Sequence, residues 1–462
     1  MKNVILIVLD SLRKDHVGSY GNEWIKTPNL DKFYSESFSF SQAYPETLAT
    51  LPVRRGIMTG RRVYPFKDWK GSALGDFISA PGWQPLADDD VTLSEVFFEA
   101  GYQTSFITDV YHLFKPSMNF HRGFCEWRFI RGQELDLLDC SRPEVNLDHY
   151  ITPRMKGLVS ENQTAQYLTN VRHRKGEEDH FAPTVFQEAI NWIDRNKDNG
   201  PFYLHLDSFD PHEPWDPPAK YWGLYHDPDY KGHQVICPDY GDPLTFMTEE
   251  ELTHTKALYA GEVTMVDTWF GKFMEKMSEL GLDENTLVVV LSDHGHPLGE
   301  HNLIRKTPAA MYPELLDIPL MIRHPSGLKA GEQTDGYVYN HDLFTTMLNF
   351  ADIPVNWSVD GIDLMNMTNK RDYATCAFKG TVWAKTNDYA YFSLMDGENA
   401  KLFDLKEDPG QYDNIADKKP NVVKEMFGLT LADADGALPD FSSLKGQLTA
   451  PRFSTALSIN RK

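Results

Sequence analysis

Three short apolar runs, each closed by an acid, constrain this chain more than any other feature. Residues 4–9 (Val-Ile-Leu-Ile-Val-Leu) end at Asp10, residues 202–206 at Asp207, and residues 286–291 lead into Ser292-Asp293-His294-Gly295. The first is continuously apolar and rich in β-branched residues, as suits a central strand covered on both faces; the other two, the second interrupted by His205, read as further strands of the same kind. Open α/β sheets place their ligands beyond the carboxyl ends of such strands, so the acids are expected along one edge. Asp10 has a second reading as a plain helix cap.

The intervening segments carry helix signals. Thr92-Leu93-Ser94-Glu95 and Thr248-Glu249-Glu250-Glu251 read as capping boxes, the second opening a helix that ends near Gly281. Thr27-Pro28 and Asn340-His341-Asp342 are further helix starts, and Phe186, Ala189, Ile190 and Ile193 share one helical face. Residues 104–109 and 318–323 read as additional strands. Residues 65–85, 111–122 and 216–242 read as loops, the last long enough for an excursion over a site. Beyond residue 352, short strand-like segments at 389–393 and 401–405 are joined by Asp-Gly and Asp-Pro turns. The predicted fold is α/β: a large mixed, mostly parallel central sheet flanked by helices over residues 1–352, and a smaller α+β subdomain over 353–462.

At 462 residues the chain can bury one large core or two unequal ones, and a net charge of −22 repels nucleic acid and anionic membranes. The apolar run at the N-terminus is short and ends in Asp10-Ser11 without a small-residue cleavage site, and no run approaches the ~20 apolar residues of a membrane span. A cytoplasmic protein is expected, with homo-oligomerisation left open. Cys125, Cys140, Cys237 and Cys376 are scattered and suggest neither a disulfide framework nor a zinc knuckle.

The chemistry concentrates around Thr50-Leu51-Pro52-Val53-Arg54. Helical i,i+4 spacing would bring the Arg54 guanidinium beside Thr50, and hydroxyl, cation and nearby acids are the parts needed to attack an anionic ester. The competing reading makes Thr50 a helix cap. Asp293-His294 after a buried strand fits a metal-binding turn better than a core histidine.

These pieces, taken in order, resemble the sulfatase branch of the alkaline phosphatase superfamily. The resemblance rests on V-L-D-S-L-R-x-D-H at the start, T-L-P-V-R-R-G-I-M-T-G-R at 50–61, T-L-S-E-V-F-F-E-A-G-Y-Q-T at 92–104, D-P-H-E-P-W at 210–215, S-D-H-G at 292–295, G-E-H-N-L-I-R-K at 299–306 and a late L-F-D-L-K-E-D-P. It implies a metal-bound nucleophile at Thr50, Arg54 holding it and the substrate oxyanion, and metal ligands Asp10, Asp293 and His294. Lys306 and His212 match positions that contact the leaving group or the ester, and His301 is a further candidate for assisting the leaving alkoxide.

The departures redirect the chemistry. Sulfatases of this type carry Cys or Ser at position 50 and oxidise it to formylglycine; Thr50 is not a substrate for that maturation. Ser11 replaces a second acid, and the segment that supplies a sulfate-binding Lys aligns with Thr108-Asp109-Val110-Tyr111. Threonine is the nucleophile in the nucleotide pyrophosphatase and phosphodiesterase branch, whose members use two metals. A second site of Asp207, His212 and His341 is therefore expected, suited to zinc (or manganese or iron), with Asp210 as an alternative to Asp207; local hydrogen bonding is the competing role for Asp207 and His341. A single-metal sulfatase-type site would instead hold calcium. The preferred reading is a metal-dependent hydrolase of phosphodiesters or phosphonate monoesters, acting on a small-molecule or sugar ester through a phospho-threonine. The alternatives are a formylglycine-independent sulfatase acting on sugar or aryl sulfates and an inactive, glycan-binding relative.

Overall fold

The computed structural model describes residues 2–66, 80–115, 118–141, 144–367 and 370–439. Most of the loop expected over 65–85 and the last part of the expected subdomain lie outside them. The main sheet contains β1 (Asn3–Leu9), β2 (Phe38–Phe40), β4 (Gln103–Thr108), β5 (Glu126–Phe129), β6 (Phe202–Ser208), β7 (Thr286–Ser292), β8 (Leu320–Arg323) and β9 (Gln333–Thr334). Between them, β3 (Ala43–Tyr44) pairs with β10 (Val338–Tyr339). The order is β5-β4-β6-β1-β7-β8-β2-β9. The five strands from β5 to β7 run parallel, while β8 is antiparallel to both β7 and β2. The expected mixed, mostly parallel sheet is the one observed.

Every residue of β1, β6 and β7 is buried, because helices cover both faces of the sheet. Ile5, Ile7 and Leu9 pack on the side of the helices Phe181–Asn196 and Glu249–Glu279. Val4, Leu6 and Val8 point the other way, to Val53 and Ile57 of the helix Thr50–Thr59 and Leu343 and Met347 of the helix Asp342–Phe350. This period of two decides where the acids go. Leu9 lies opposite Ser292 in β7, so Asp10 and Asp293 leave the sheet at the same level. Asp207 pairs with Val8 and therefore faces the helix that carries Thr50 and Arg54.

The later residues form an antiparallel sheet of β11 (Ala374–Phe378), β12 (Thr381–Lys385), β13 (Tyr389–Leu394) and β14 (Lys401–Asp404). Met426 of the helix Pro420–Asp433 packs with Ala384, Tyr391 and Leu402 on one of its faces. The sheet also contacts the segment that leads into the Thr50 helix: the Leu48 amide donates to the Ala377 carbonyl at 3.1 Å. Among the described residues no helix is long and apolar enough to cross a membrane.

Candidate active site

All ten residues of the helix Thr50–Thr59 are buried. Ala49 occupies the capping position, so Thr50 is the first helical residue and its hydroxyl is not the cap that the competing reading required. Gly60 ends the helix in the left-handed region at φ 65°, with its amide donating to the Gly56 carbonyl. Arg54 turns back one helical turn, as its spacing predicts, and its Nη1 donates to the Thr50 carbonyl at 3.3 Å.

The rest of that guanidinium is taken up by acids. Its Nε and Nη2 form a two-pronged contact with Asp207 at 3.0 and 2.7 Å. Nη1 lies 3.1 Å from Asp10 Oδ2 and also bonds Asp293 Oδ2. Arg54 and the three carboxylates are at most 1% exposed. Arg54 is thus the counter-ion of three strand-end acids.

The turn after β7 presents the other half of the cluster. Asp293 Oδ1 accepts from the backbone amides of Ser11 at 3.0 Å and His294 at 2.8 Å. His294 Nδ1 donates to the Gly295 carbonyl at 2.8 Å, which leaves the Nε2 lone pair facing Asp293 at 3.4 Å and Asp10 at 3.9 Å. Gly295 is needed for close approach: a Cβ there would stand 2.0 Å from the Glu314 carbonyl oxygen. The Ser11 hydroxyl donates to Asp10 at 2.9 Å.

Burial and the neighbouring Asp293 push the Asp10 carboxyl well above its usual range, against the pull of Arg54. Burial acts on Asp293 in the same direction, but Arg54 and His294 overcome it and hold that acid at about 2. Burial lowers His294 to about 4, so its ring is neutral near pH 7. Among the described residues, Asp10, Asp293 and His294 are the one group of three or more His, Cys, Asp or Glu whose ligand atoms lie within 4.8 Å of one another. Asp10 Oδ2 and His294 Nε2 are buried without a hydrogen-bond partner. One buried acid oxygen and one neutral imidazole nitrogen without a hydrogen-bond partner, beside the Asp293 carboxylate, fit a divalent cation.

Lys306 stands beside this group, close enough for its charge to act on Asp10 and His294. Its Nζ is in short contact with His212 Nε2. His212 Nδ1 donates to the Glu213 carbonyl at 2.6 Å, so Nε2 accepts from the Lys306 ammonium. Burial pushes the His212 pKa well down, and the Lys306 charge adds to that.

The second metal set expected from the sequence is not assembled. Both oxygens of Asp207 are bonded to Arg54, and His212 is held between Glu213 and Lys306. His341 stacks on Tyr339 with ring centroids 5.2 Å apart and has Asp342 at 3.8 Å as its nearest ionic partner. Asp210, the alternative ligand, accepts from Gln133 at 2.7 Å and from the Ala182 amide at 2.9 Å. His301 is also drawn off: it lies between Tyr312, at 3.6 Å and 4°, and Tyr412, at 4.4 Å and 22°, with Glu314 at 3.6 Å.

Sequence reasoning passed over Glu213, Arg305 and His296, all fully buried around the Lys306–His212 contact. Their signal was adjacency: each lies within two residues of a residue already singled out.

The family model "Sulfatase" matches residues 2–353. The chain belongs to the sulfatase family. A second model, "N-sulphoglucosamine sulphohydrolase, C-terminal", matches residues 299–431. Among similar proteins, an arylsulfatase of Clostridium perfringens is 26% identical over 497 residues, covering 94% of this chain and 96% of the relative. The multifunctional alkaline phosphatase superfamily protein PehA of Trinickia caryophylli is 24% identical over 529 residues, covering 97% and 99%. The structure of the phosphonate monoester hydrolase of Agrobacterium radiobacter aligns with a TM-score of 0.71 at 19% identity, covering 97% of this chain and 96% of that one. At that identity the structural likeness speaks for the fold alone. This sulfatase-family chain is an ester-hydrolysing enzyme, and sulfate or phosphorus esters are the substrates its relatives define.

Proposed function

We propose that the enzyme hydrolyses phosphodiesters or phosphonate monoesters with Thr50 as nucleophile. The observation that carries this reading is a threonine, not a Cys or Ser, at the start of a buried helix whose Arg54 is tied to Asp10, Asp207 and Asp293. A threonine hydroxyl can form and release a phosphoryl ester, whereas the route that expels sulfate from an aldehyde hydrate is closed to it.

In this scheme Thr50 Oγ1 gives its proton to water as it attacks phosphorus, and the departing alcohol oxygen keeps the electron pair of the broken P–O bond. Lys306 Nζ supplies the proton that oxygen needs, held in place by the neutral His212 ring. Arg54 fixes the carboxylates so that they do not rearrange as charge develops on the ester. Water then hydrolyses the phospho-threonine and restores the hydroxyl. Asp10, Asp293 and His294 would hold a divalent ion, and an imidazole in the set favours zinc, manganese or iron over calcium. When bound, such an ion neutralises ester charge and lowers the pKa of a hydroxyl beside it. Elemental analysis of the purified protein should give one such ion per chain, and His294→Ala should lower that content; two tightly held ions unaffected by His294→Ala would refute the assignment.

The sulfate reading stays in play because the curated relatives include an arylsulfatase and an N-acetylglucosamine-6-O-sulfatase of Bacteroides thetaiotaomicron. Initial rates on a phosphate diester, a phosphonate monoester and a sulfate ester sharing one leaving group separate the two. We expect the phosphorus esters to be cleaved at least ten times faster; the opposite order would transfer the assignment to sulfate.

A further inference from the structure

Lys306 and His212 come from different loops, yet their immediate neighbours form one buried ion pair. Arg305 precedes Lys306, Glu213 follows His212, and the Arg305 Nη2 group is in short contact with Glu213 Oε1. Both side chains are 0% exposed. Arg305 is then fixed from several sides. Its Nη1 donates to Gln163 at 2.8 Å and to the Pro238 carbonyl at 3.2 Å, and Nη2 reaches Glu134 at 3.4 Å. The Arg305 guanidinium also lies 4.1 Å above the Tyr240 ring. The second oxygen of Glu213 faces two imidazoles, His212 Nδ1 at 3.3 Å and His296 Nδ1 at 3.5 Å.

A pair buried this deeply is weak evidence for stability, because desolvating two charges offsets most of their attraction. What it does impose is geometry. Consecutive Cα atoms are held 3.8 Å apart by the peptide bond, so pinning Glu213 to Arg305 also pins His212 relative to Lys306. Arg305 sits in the left-handed region at φ 63°, an unfavourable conformation for a residue with a Cβ. A loop without the ion pair would have reason to relax out of it.

We infer that Glu213 and Arg305 are positioning residues that staple the His212 loop to the Lys306 loop, so that the Lys306 ammonium points at the leaving oxygen with His212 Nε2 as its acceptor. This rests on the reading of Lys306 as proton donor. Departure of a poor leaving group needs that proton at bond breaking, while a good one leaves as its anion without help. The staple is therefore felt in proportion to the leaving-group pKa.

The test uses the full-length enzyme and a series of esters, running from 4-nitrophenyl to alkyl leaving groups, of whichever acid the wild type cleaves. For Glu213→Gln we expect kcat to fall 10- to 100-fold on the alkyl ester and no more than about threefold on the nitrophenyl ester, with KM unchanged. Arg305→Gln should show the same pattern, and Arg305→Lys, which keeps a cation opposite Glu213, should lose less of the alkyl-ester rate than Arg305→Gln. Where Glu213→Gln folds poorly, the triple variant Glu134→Gln/Glu213→Gln/Arg305→Gln, which removes both acids that Arg305 pairs with, should regain melting temperature, yet not the alkyl-ester rate. Equal losses on every ester, or no loss on any, would overturn the inference. A wild type that prefers sulfate would instead overturn the phosphorus assignment, leaving the leaving-group series to be read on sulfate esters.

Discussion

Thr50→Val removes turnover while leaving the fold in place. Valine keeps the β-branch and nearly the volume of threonine, so the fully buried helix Thr50–Thr59 loses a hydroxyl and little else. Removal of the nucleophile from a covalent mechanism costs on the order of ten-thousand-fold or more in kcat, because the positioned groups that remain have nothing to act with. Thr50→Ser keeps an oxygen at the same position and should retain activity within about tenfold of wild type, the loss reflecting freer side-chain rotation. Steady-state rates, with thermal melting as the folding control, provide the measurement. Acid-quenched wild type should also carry a phosphoryl adduct on the peptide containing Thr50, absent from Thr50→Val. Residual activity in Thr50→Val within tenfold of wild type would take Thr50 out of the chemistry and leave Lys306 and His212 acting on directly attacking water.

The parts legible from sequence were those where local pattern and tertiary role coincide. β1, β6 and β7 are buried on both faces, so their runs were apolar but for His205 in β6, and the acids that follow them reached one edge as expected. The boxes at Thr92 and Thr248 formed with both reciprocal bonds. Strands such as β5 and β2 carried weaker signals: β5 is half-exposed along its length, and β2 is three residues whose pairing is supplied by distant β8 and β9. The site divided along the same line. Asp10, Asp293 and His294 converge because the register of β1 and β7 is set by hydrophobic burial. Asp207, His212 and His341 lie close to the right sequence positions, but convergence of three side chains depends on which counter-ion each finds first. Spacing carries no record of that competition, and Arg54, Lys306 and Tyr339 won it.

The Arg54 cluster also sets the largest stability effect. Arg54→Met removes the one Lys or Arg that, among the described residues, is in contact with Asp10, Asp207 and Asp293, all 0% exposed. Breaking a buried ion pair from one side costs ~3–5 kcal/mol, since the partner charge is left without solvent or counter-ion. A divalent ion held by Asp10, Asp293 and His294 would relieve two of the acids, but Asp207 lies outside that group and keeps its penalty. Burial already raises the Asp207 carboxyl while Arg54 opposes the rise, so loss of Arg54 raises it further. A carboxyl raised in the folded state binds its proton more tightly there than in the unfolded chain. Its contribution is therefore complete below the unfolded pKa and is lost as pH climbs through the folded value. Arg54→Met should thus lose more stability relative to wild type at pH 7.5 than at pH 5, measured by urea unfolding across that range. Arg54→Lys should recover little, because an ammonium cannot make the two-pronged contact with Asp207. Arg54→Met/Asp207→Leu should regain stability without activity, since it removes the stranded acid but not the need for fixed carboxylates at Asp10 and Asp293. Equal stability of Arg54→Met and wild type at pH 7.5 would mean that the three acids are satisfied by something other than Arg54, and the site would have to be rebuilt around that partner.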